Sequence, residues 1–142
     1  MRTYIIPLIA LTLFLGHVWH MARVGGWSSL AETFRKSRAA KGKRFYFVSA
    51  TMINTNNNST SNFYYNGGLF VSVINEGMFL SVCPQYRFMH PPLYIPWSQI
   101  KSVDENRQGL YSLVQLGEQW PAINIRGKAG KYILQKYKAK QA

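Results

Sequence analysis

The side chains that could carry out chemistry are few and widely spaced in this chain. Cys83 and His90 are of the types that form a nucleophile and its base. Neither a third orienting group nor an oxyanion-stabilising element accompanies them. We therefore expect a buried thiol and a histidine in a turn rather than a catalytic pair.

Metal and acid–base chemistry find equally little support. His17 and His20 are three residues apart and share one face of a helix, but metal sites generally use three or four ligands. Asp104 and Glu105 are adjacent, so their carboxylates diverge on a strand. Phosphate-binding glycine motifs are missing as well. The sequence therefore predicts a protein without metal or cofactor that is not an enzyme.

The charge is distributed unevenly along the 142 residues. The net charge of +12 arises at the two ends: residues 1–44 carry eight Lys/Arg and one acid, and residues 127–142 carry five Lys and no acid. Residues 45–126 carry four of each sign. Nucleic-acid-binding domains usually carry basic residues on one face of the fold, whereas basic residues beside an apolar segment favour an anionic membrane surface. We therefore expect no nucleic-acid partner.

Tyr4–Ala22 is an apolar segment of nineteen residues without a formal charge. As a helix it is about 28 Å long, close to the hydrocarbon thickness of a bilayer. A cleaved signal peptide is the main alternative, but the basic region before the segment is short and no small-residue cleavage motif follows. The pattern predicts a single-pass transmembrane anchor over residues 1–25. Because more Lys and Arg follow the segment than precede it, the positive-inside rule predicts a cytoplasmic C-terminal domain.

Residues 26–43 are predicted to form a juxtamembrane amphipathic helix and a basic linker. Ser29 and Glu32 make a capping-box pattern, and Trp27, Leu30 and Phe34 recur at helical spacing. We expect this helix at about 28–38. It could lie on the membrane surface or pack its apolar stripe on the domain, and the pattern favours neither.

From Arg44 onward the pattern is typical of β-strands, with aromatic and β-branched runs between Gly, Asn and Pro. The predicted strands are 44–53, 63–65, 69–74, 78–83, 93–97, 110–116 and 120–125, with 54–62 as a flexible hairpin loop. Trp97 and Ile100 are predicted to be core residues. Residues 127–140 return to helical spacing. The prediction for 44–142 is a mostly-β domain of about seven strands closed by a C-terminal helix.

Three runs of this region carry a family resemblance: Gly67–Val71, Gly77–Val82 and His90–Ile100. They are similar to the PH-like superfold in its GRAM-like branch, and the chain resembles short, uncharacterised bacterial membrane-anchored proteins over roughly 26–140. The resemblance implies a PH-like β-sandwich or barrel, and it indicates a fold rather than an activity. Phosphoinositide-binding PH domains carry a basic cluster around the first hairpin loop. Residues 54–62 contain no Lys or Arg, so a pocket of that kind is not expected.

The predicted function is that of a membrane-tethered, non-catalytic binding or scaffold module. Its basic flanks would hold the domain against anionic lipid, each Lys or Arg near the surface contributing about 1 kcal/mol. The predicted lipid-contact residues are Arg23, Arg35, Lys36, Arg38, Lys41, Lys43, Arg44, Lys128, Lys131, Lys136, Lys138 and Lys140.

A protein partner of unknown identity is expected at a loop after the fourth predicted strand, since loops carry binding residues more often than strands do. The loop residues are Tyr86, Arg87, Phe88 and Met89. The same loop could instead fold back and cap the core. The alternative function is a structural or accessory subunit of a membrane protein complex, with small residues of the apolar segment letting other helices approach.

Overall fold

The computed structural model of the chain describes residues 2–36, 41–56, 58–106 and 109–141. Two helices come first, α1 (Arg2–Val24) and α2 (Trp27–Phe34). The strands are β1 (Lys43–Asn56), β2 (Ser59–Val73), β3 (Gly77–Val82), β4 (Leu93–Pro96), β5 (Ser102–Asn106), β6 (Tyr111–Gln115) and β7 (Ala122–Arg126). Helix α3 (Gly127–Gln141) follows β7 directly.

The strands form one antiparallel sheet in the order β4-β3-β2-β1-β7-β6-β5. β1 belongs to both halves, because it pairs with β2 along its length and with β7 over Ala50–Ile53. Register shifts between Phe45 and Ala50 bend this strand, and Phe47 has a left-handed backbone with φ of 53°. The sheet therefore curls into a half-barrel.

The helices complete a continuous apolar core. α3 packs on β5, β6 and β7 and contributes Ala129, Ile133 and Leu134. α2 packs beside β4 and contributes Trp27, Leu30 and Phe34. Trp97 and Ile100 are each only 5% exposed, so their predicted core position is confirmed. A mostly-β fold of seven strands with a C-terminal helix and an N-terminal apolar helix is likewise confirmed.

The segment predicted as a flexible loop, 54–62, is instead mostly strand. β1 runs to Asn56 and β2 begins at Ser59. Thr55 pairs with Thr60 in the ladder, and their hydroxyl oxygens are 3.3 Å apart. The prediction was wrong because this hairpin is polar on both faces, and the alternation that marks a half-buried strand is therefore missing.

The helix predicted at 28–38 is shorter, and its apolar stripe is buried in the domain. It ends because Arg35 is extended, with ψ of 128°, and forms a bridge with Leu93. The Lys36 backbone N–H then donates to the Pro92 carbonyl at 3.1 Å. Of the two alternatives for this helix, packing on the domain is the one found. Residues 37 and 38 of the prediction lie outside the described residues.

Candidate functional site

The C-terminal part of α1 packs one face against the domain, whereas its N-terminal part is exposed. Residues 3–14 are all exposed. Val18, Met21 and Ala22 are 0%, 5% and 0% exposed. Thr3–Val24 is the one helix in the described part of the chain that is long and apolar enough to cross a membrane, by length and composition. We call residues 18–24 the base of α1.

Polar and aromatic contacts hold the base of α1 against the domain. The Asn54 side-chain amide donates to the Val24 carbonyl at 2.8 Å. The His20 ring lies 5.7 Å from the Phe63 ring, edge on. Asn54 and Phe63 lie on the polar hairpin of β1 and β2, so this hairpin supports the helix.

Only two residues, Gly25 and Gly26, connect α1 to α2. Gly26 has φ of +94°, a conformation that favours glycine. A Cβ atom on Gly26 would also lie 2.7 Å from Cγ of Pro121. The connection is therefore a tight turn against the domain, and it fixes the direction in which α1 leaves.

The segment between β3 and β4, residues 83–92, lies beside α1, and we call it the Arg87 loop. The Tyr86 ring is 6.0 Å from the Phe14 ring of α1. Phe88 and Met89 are 48% and 42% exposed. The predicted contact loop therefore does not fold back over the core at these two residues. The loop exposes these two apolar side chains, and its Tyr86, which packs partly on the core, contacts the exposed part of α1.

His90 anchors the Arg87 loop to the core and is 1% exposed. Its Nδ1–H donates to the Phe88 carbonyl at 2.9 Å, because that carbonyl oxygen can only accept. Its Nε2 is then the acceptor for the Tyr65 hydroxyl, also at 2.9 Å. Trp27 packs on the His90 ring and donates from Nε1–H to the Pro91 carbonyl at 2.9 Å. These contacts fix the backbone of the loop.

Burial shifts the protonation equilibria of this pair toward the neutral forms. It lowers the pKa of His90, and the hydrogen bond to the Phe88 carbonyl opposes that change only in part. Burial also raises the pKa of the Tyr65 hydroxyl. At neutral pH the pair is therefore an uncharged hydrogen-bonded unit.

A cleft of about 660 Å³ lies between the base of α1, α2 and the Arg87 loop. Arg23, Arg35 and Arg87 line it, and Glu32 is the one carboxylate among the lining residues. The volume falls within the range of about 300–1,000 Å³ that is usual for small-molecule sites. Guanidinium groups therefore outnumber carboxylates along the cleft, and the rest of its surface is partly apolar.

The other basic residues predicted to contact lipid are dispersed. The Lys36 ammonium lies 4.7 Å from the centroid of the Tyr94 ring, and that of Lys136 lies 5.7 Å from the centroid of the Tyr132 ring. Arg44 and Lys128 line a separate depression beside the bend of β1. Exposed elsewhere are Lys41, Lys43, Lys131, Lys138 and Lys140. Arg38 lies outside the described residues.

The side chains considered for chemistry are not assembled into a reactive site. The Cys83 thiol is directed at the Gly67 carbonyl at 3.7 Å, whereas both His90 nitrogens are engaged by Tyr65 and Phe88. His17 and His20 are exposed on α1. Among residues 2–36, 41–56, 58–106 and 109–141, no three His, Cys, Asp or Glu side chains form a group that could hold a metal ion.

Sequence reasoning missed the Tyr65–His90 pair and the place of Glu32 in the cleft. Tyr65 and His90 are 25 positions apart, and no local pattern relates them. The capping-box interpretation assigned Glu32 a local role, although its side chain faces the cleft. No family model matches the chain, and no curated protein is significantly similar to it.

Proposed function

We propose that this protein is a membrane-anchored, non-catalytic binding module whose β domain sits directly on the cytoplasmic surface of a membrane. The observation that carries the proposal is the position of α1, which is exposed over residues 3–14 and buried against the domain along one face of its base. Apolar surface in water costs roughly 25 cal/mol per Å². A bilayer around the bare part of α1 removes that cost.

The length of α1 supports a domain that touches lipid. Thr3–Val24 has 22 residues and is therefore about 33 Å long, only slightly more than the roughly 30 Å of a hydrocarbon core. Phe14, which contacts Tyr86, lies about 12 Å along the axis from Ala22. With α1 across the bilayer, the Arg87 loop lies beside the membrane-embedded part of α1 through the contact of Tyr86 with Phe14, and Phe88 and Met89 contact lipid.

Charge and topology support the rest of the proposal. The basic residues that follow α1 outnumber Arg2 before it, which favours a cytoplasmic domain. The lysines of α3 would add attraction to anionic lipid. The strand order β4-β3-β2-β1-β7-β6-β5 followed by a helix is consistent with a PH-like domain that binds a partner at the membrane.

The proposal predicts integral membrane association with the C-terminus in the cytoplasm. A reporter that is active only in the cytoplasm should be active when fused after Ala142, and the fusion should stay in the membrane pellet at alkaline pH in carbonate. The matched control lacks residues 2–17 and keeps the buried base of α1. It should move to the soluble or carbonate-released fraction, because the bare apolar segment is gone.

Release of the full-length protein by carbonate would reject the anchor, and activity of only a periplasmic reporter would reject the orientation. Purification of the full-length fusion in mild detergent distinguishes the binding module from the alternative function. A second protein that co-purifies in constant stoichiometry would favour the alternative, an accessory subunit of a membrane complex.

A further inference from the structure

We propose that the cleft between the base of α1, α2 and the Arg87 loop binds the phosphate group of an anionic lipid headgroup. The inference that the phosphate belongs to a lipid rests on the proposed function, which places the domain on a membrane. The inference that the cleft binds an anion is independent of it, because it follows from the side chains that line the cleft.

The charges that face the cleft favour an anion. Arg23, Arg35 and Arg87 outnumber Glu32. A guanidinium group presents planar, paired N–H donors that match the oxygens of a phosphate, and such charge-assisted hydrogen bonds are among the strongest in proteins. His90 also lines the cleft, but its ring nitrogens are engaged by Tyr65 and Phe88. The arginines are therefore the groups that bind the ligand.

Each arginine is held by a different element. The Arg23 guanidinium lies 5.5 Å from the centroid of the Trp19 ring on α1. The backbone of Arg35 is fixed by its bridge with Leu93 of β4. The Arg87 carbonyl accepts from the His90 N–H at 3.0 Å. Their backbones are therefore positioned before a ligand arrives, which lowers the entropic cost of binding.

The cleft lies at the depth where lipid phosphates are found. Trp and Arg at the end of a membrane helix sit at the level of the headgroups, and Trp19 and Arg23 occupy that end of α1. A lipid phosphate could enter the cleft while its acyl chains stay beside α1 and the exposed Phe88. A soluble phosphate compound would offer the same group without the chains, so the experiment must separate the two.

The test uses the full-length protein in micelles of a neutral detergent. Calorimetric titrations with dihexanoyl phosphatidylglycerol, dihexanoyl phosphatidylcholine and inorganic phosphate form its three arms. We expect saturable binding of the phosphatidylglycerol and weaker binding of the zwitterionic lipid. The R35Q/R87Q variant should lose about tenfold or more in affinity, because charge-assisted hydrogen bonds are removed. E32Q should bind more tightly, because a competing carboxylate is gone.

The matched control is R126Q, which removes an arginine that lies over the Tyr111 ring and outside the cleft. R126Q should change the affinity less than about twofold. An equal loss in R126Q and R35Q/R87Q would overturn the cleft in favour of diffuse attraction, and so would the absence of saturable binding in every arm. Equally tight binding of inorganic phosphate, lost in R35Q/R87Q, would support the anion site and assign it a soluble ligand.

The cleft and the proposed function can fail separately. Carbonate extraction of the same variants reports on the anchor alone, and R35Q/R87Q should stay in the membrane pellet. If the wild-type protein is extracted but still binds phosphatidylglycerol in micelles, the anchor is rejected and the cleft stands. If it resists extraction but never binds the ligands, the cleft is rejected.

Discussion

At the scale of single residues, His90 links the core to the surface of the proposed site. Its ring is buried against Trp27 and bonded to Tyr65, and it holds the carbonyl of Phe88 in the loop that carries Arg87. The network uses the neutral tautomer, with one nitrogen donating and the other accepting. Protonation of Nε2 removes the acceptor for the Tyr65 hydroxyl and places a charge in a buried position.

This arrangement predicts a stability that depends on pH through His90. Because burial lowers the pKa of His90 below its ordinary value of 6.5, the unfolded chain binds a proton at higher pH than the folded chain does. The contribution of neutral His90 to the free energy of unfolding is therefore complete above about pH 6.5. It is lost as the pH drops through the pKa of His90 in the folded protein. Urea unfolding of the full-length protein in detergent, followed by near-ultraviolet circular dichroism at pH 5 to 8, should show that decrease.

His90→Gln should lower the stability at pH 8 but flatten its dependence between pH 5 and pH 7, because glutamine does not titrate. His17→Gln, at an exposed position of α1, is the control and should keep the wild-type profile. An unchanged slope in His90→Gln would show that another group controls the acid response.

At the scale of the elements, the sequence patterns predicted those that contribute many apolar side chains to the core. Ile133 and Leu134 lie on the apolar face of α3, and the helical spacing predicted that helix. The pattern within 78–83 predicted β3, and that strand is buried at every position except Ser81. The continuation of the strands into the hairpin at 54–62 was missed, because this segment is polar on both faces and is held by the ladder and by contacts with α1.

The cleft could not be predicted for a different reason. Arg23, Arg35 and Arg87 belong to three segments whose proximity depends on the turn at Gly25–Gly26 and on the bridge between Arg35 and Leu93. Sequence analysis singled out Arg23 and Arg35 as lipid contacts and Arg87 as a partner contact. It had no means to bring them together, because long-range register is not encoded in local periodicity.

The packing of α3 on the sheet gives a prediction at this scale. A Cβ atom at Gly130 would overlap the carbonyl oxygen of Ile125, so this glycine permits the close approach of α3 to β7. Gly130→Ala should lower the free energy of unfolding by about 1–3 kcal/mol, because overpacking outweighs the higher helix propensity of alanine. Thermal unfolding in detergent, followed by near-ultraviolet circular dichroism, measures the change.

Gly16→Ala is the control, because it is also a glycine in a helix but has no atom within 4 Å of its Cβ position. It should leave the midpoint unchanged or raise it. A Gly130→Ala protein as stable as the wild type would mean that α3 can move away from β7 at little cost.

At the scale of the whole molecule, the short connection between α1 and the domain is what relates fold to location. One face of the base of α1 is buried against the domain, and only two residues separate the end of α1 from the start of α2. A domain joined in this way cannot move freely away from a membrane that α1 crosses. The surface around α1, including the Arg87 loop, therefore has a defined depth that can be measured.

The depth of the Arg87 loop is accessible because Cys83 is the single cysteine of the chain. In a Cys83→Ser background, a nitroxide spin label attached to Phe88→Cys should report a lipid environment in reconstituted vesicles. We expect its collisions with oxygen, which partitions into lipid, to exceed those with a water-soluble nickel chelate. The reason is that Phe88 is 48% exposed on the loop that meets the middle of α1 at Phe14.

The matched control is a label on Leu110→Cys, another apolar side chain that is 53% exposed. Leu110 lies in the turn before β6, and its carbonyl accepts from the N–H of Gly127 at the start of α3 at 2.9 Å. This label should collide more with the nickel chelate, as expected in water. Equal accessibilities at 88 and 110 would contradict the proposed seat, because a membrane that surrounds α1 down to its base must shield the loop beside Phe14 and leave the turn before β6 in solvent.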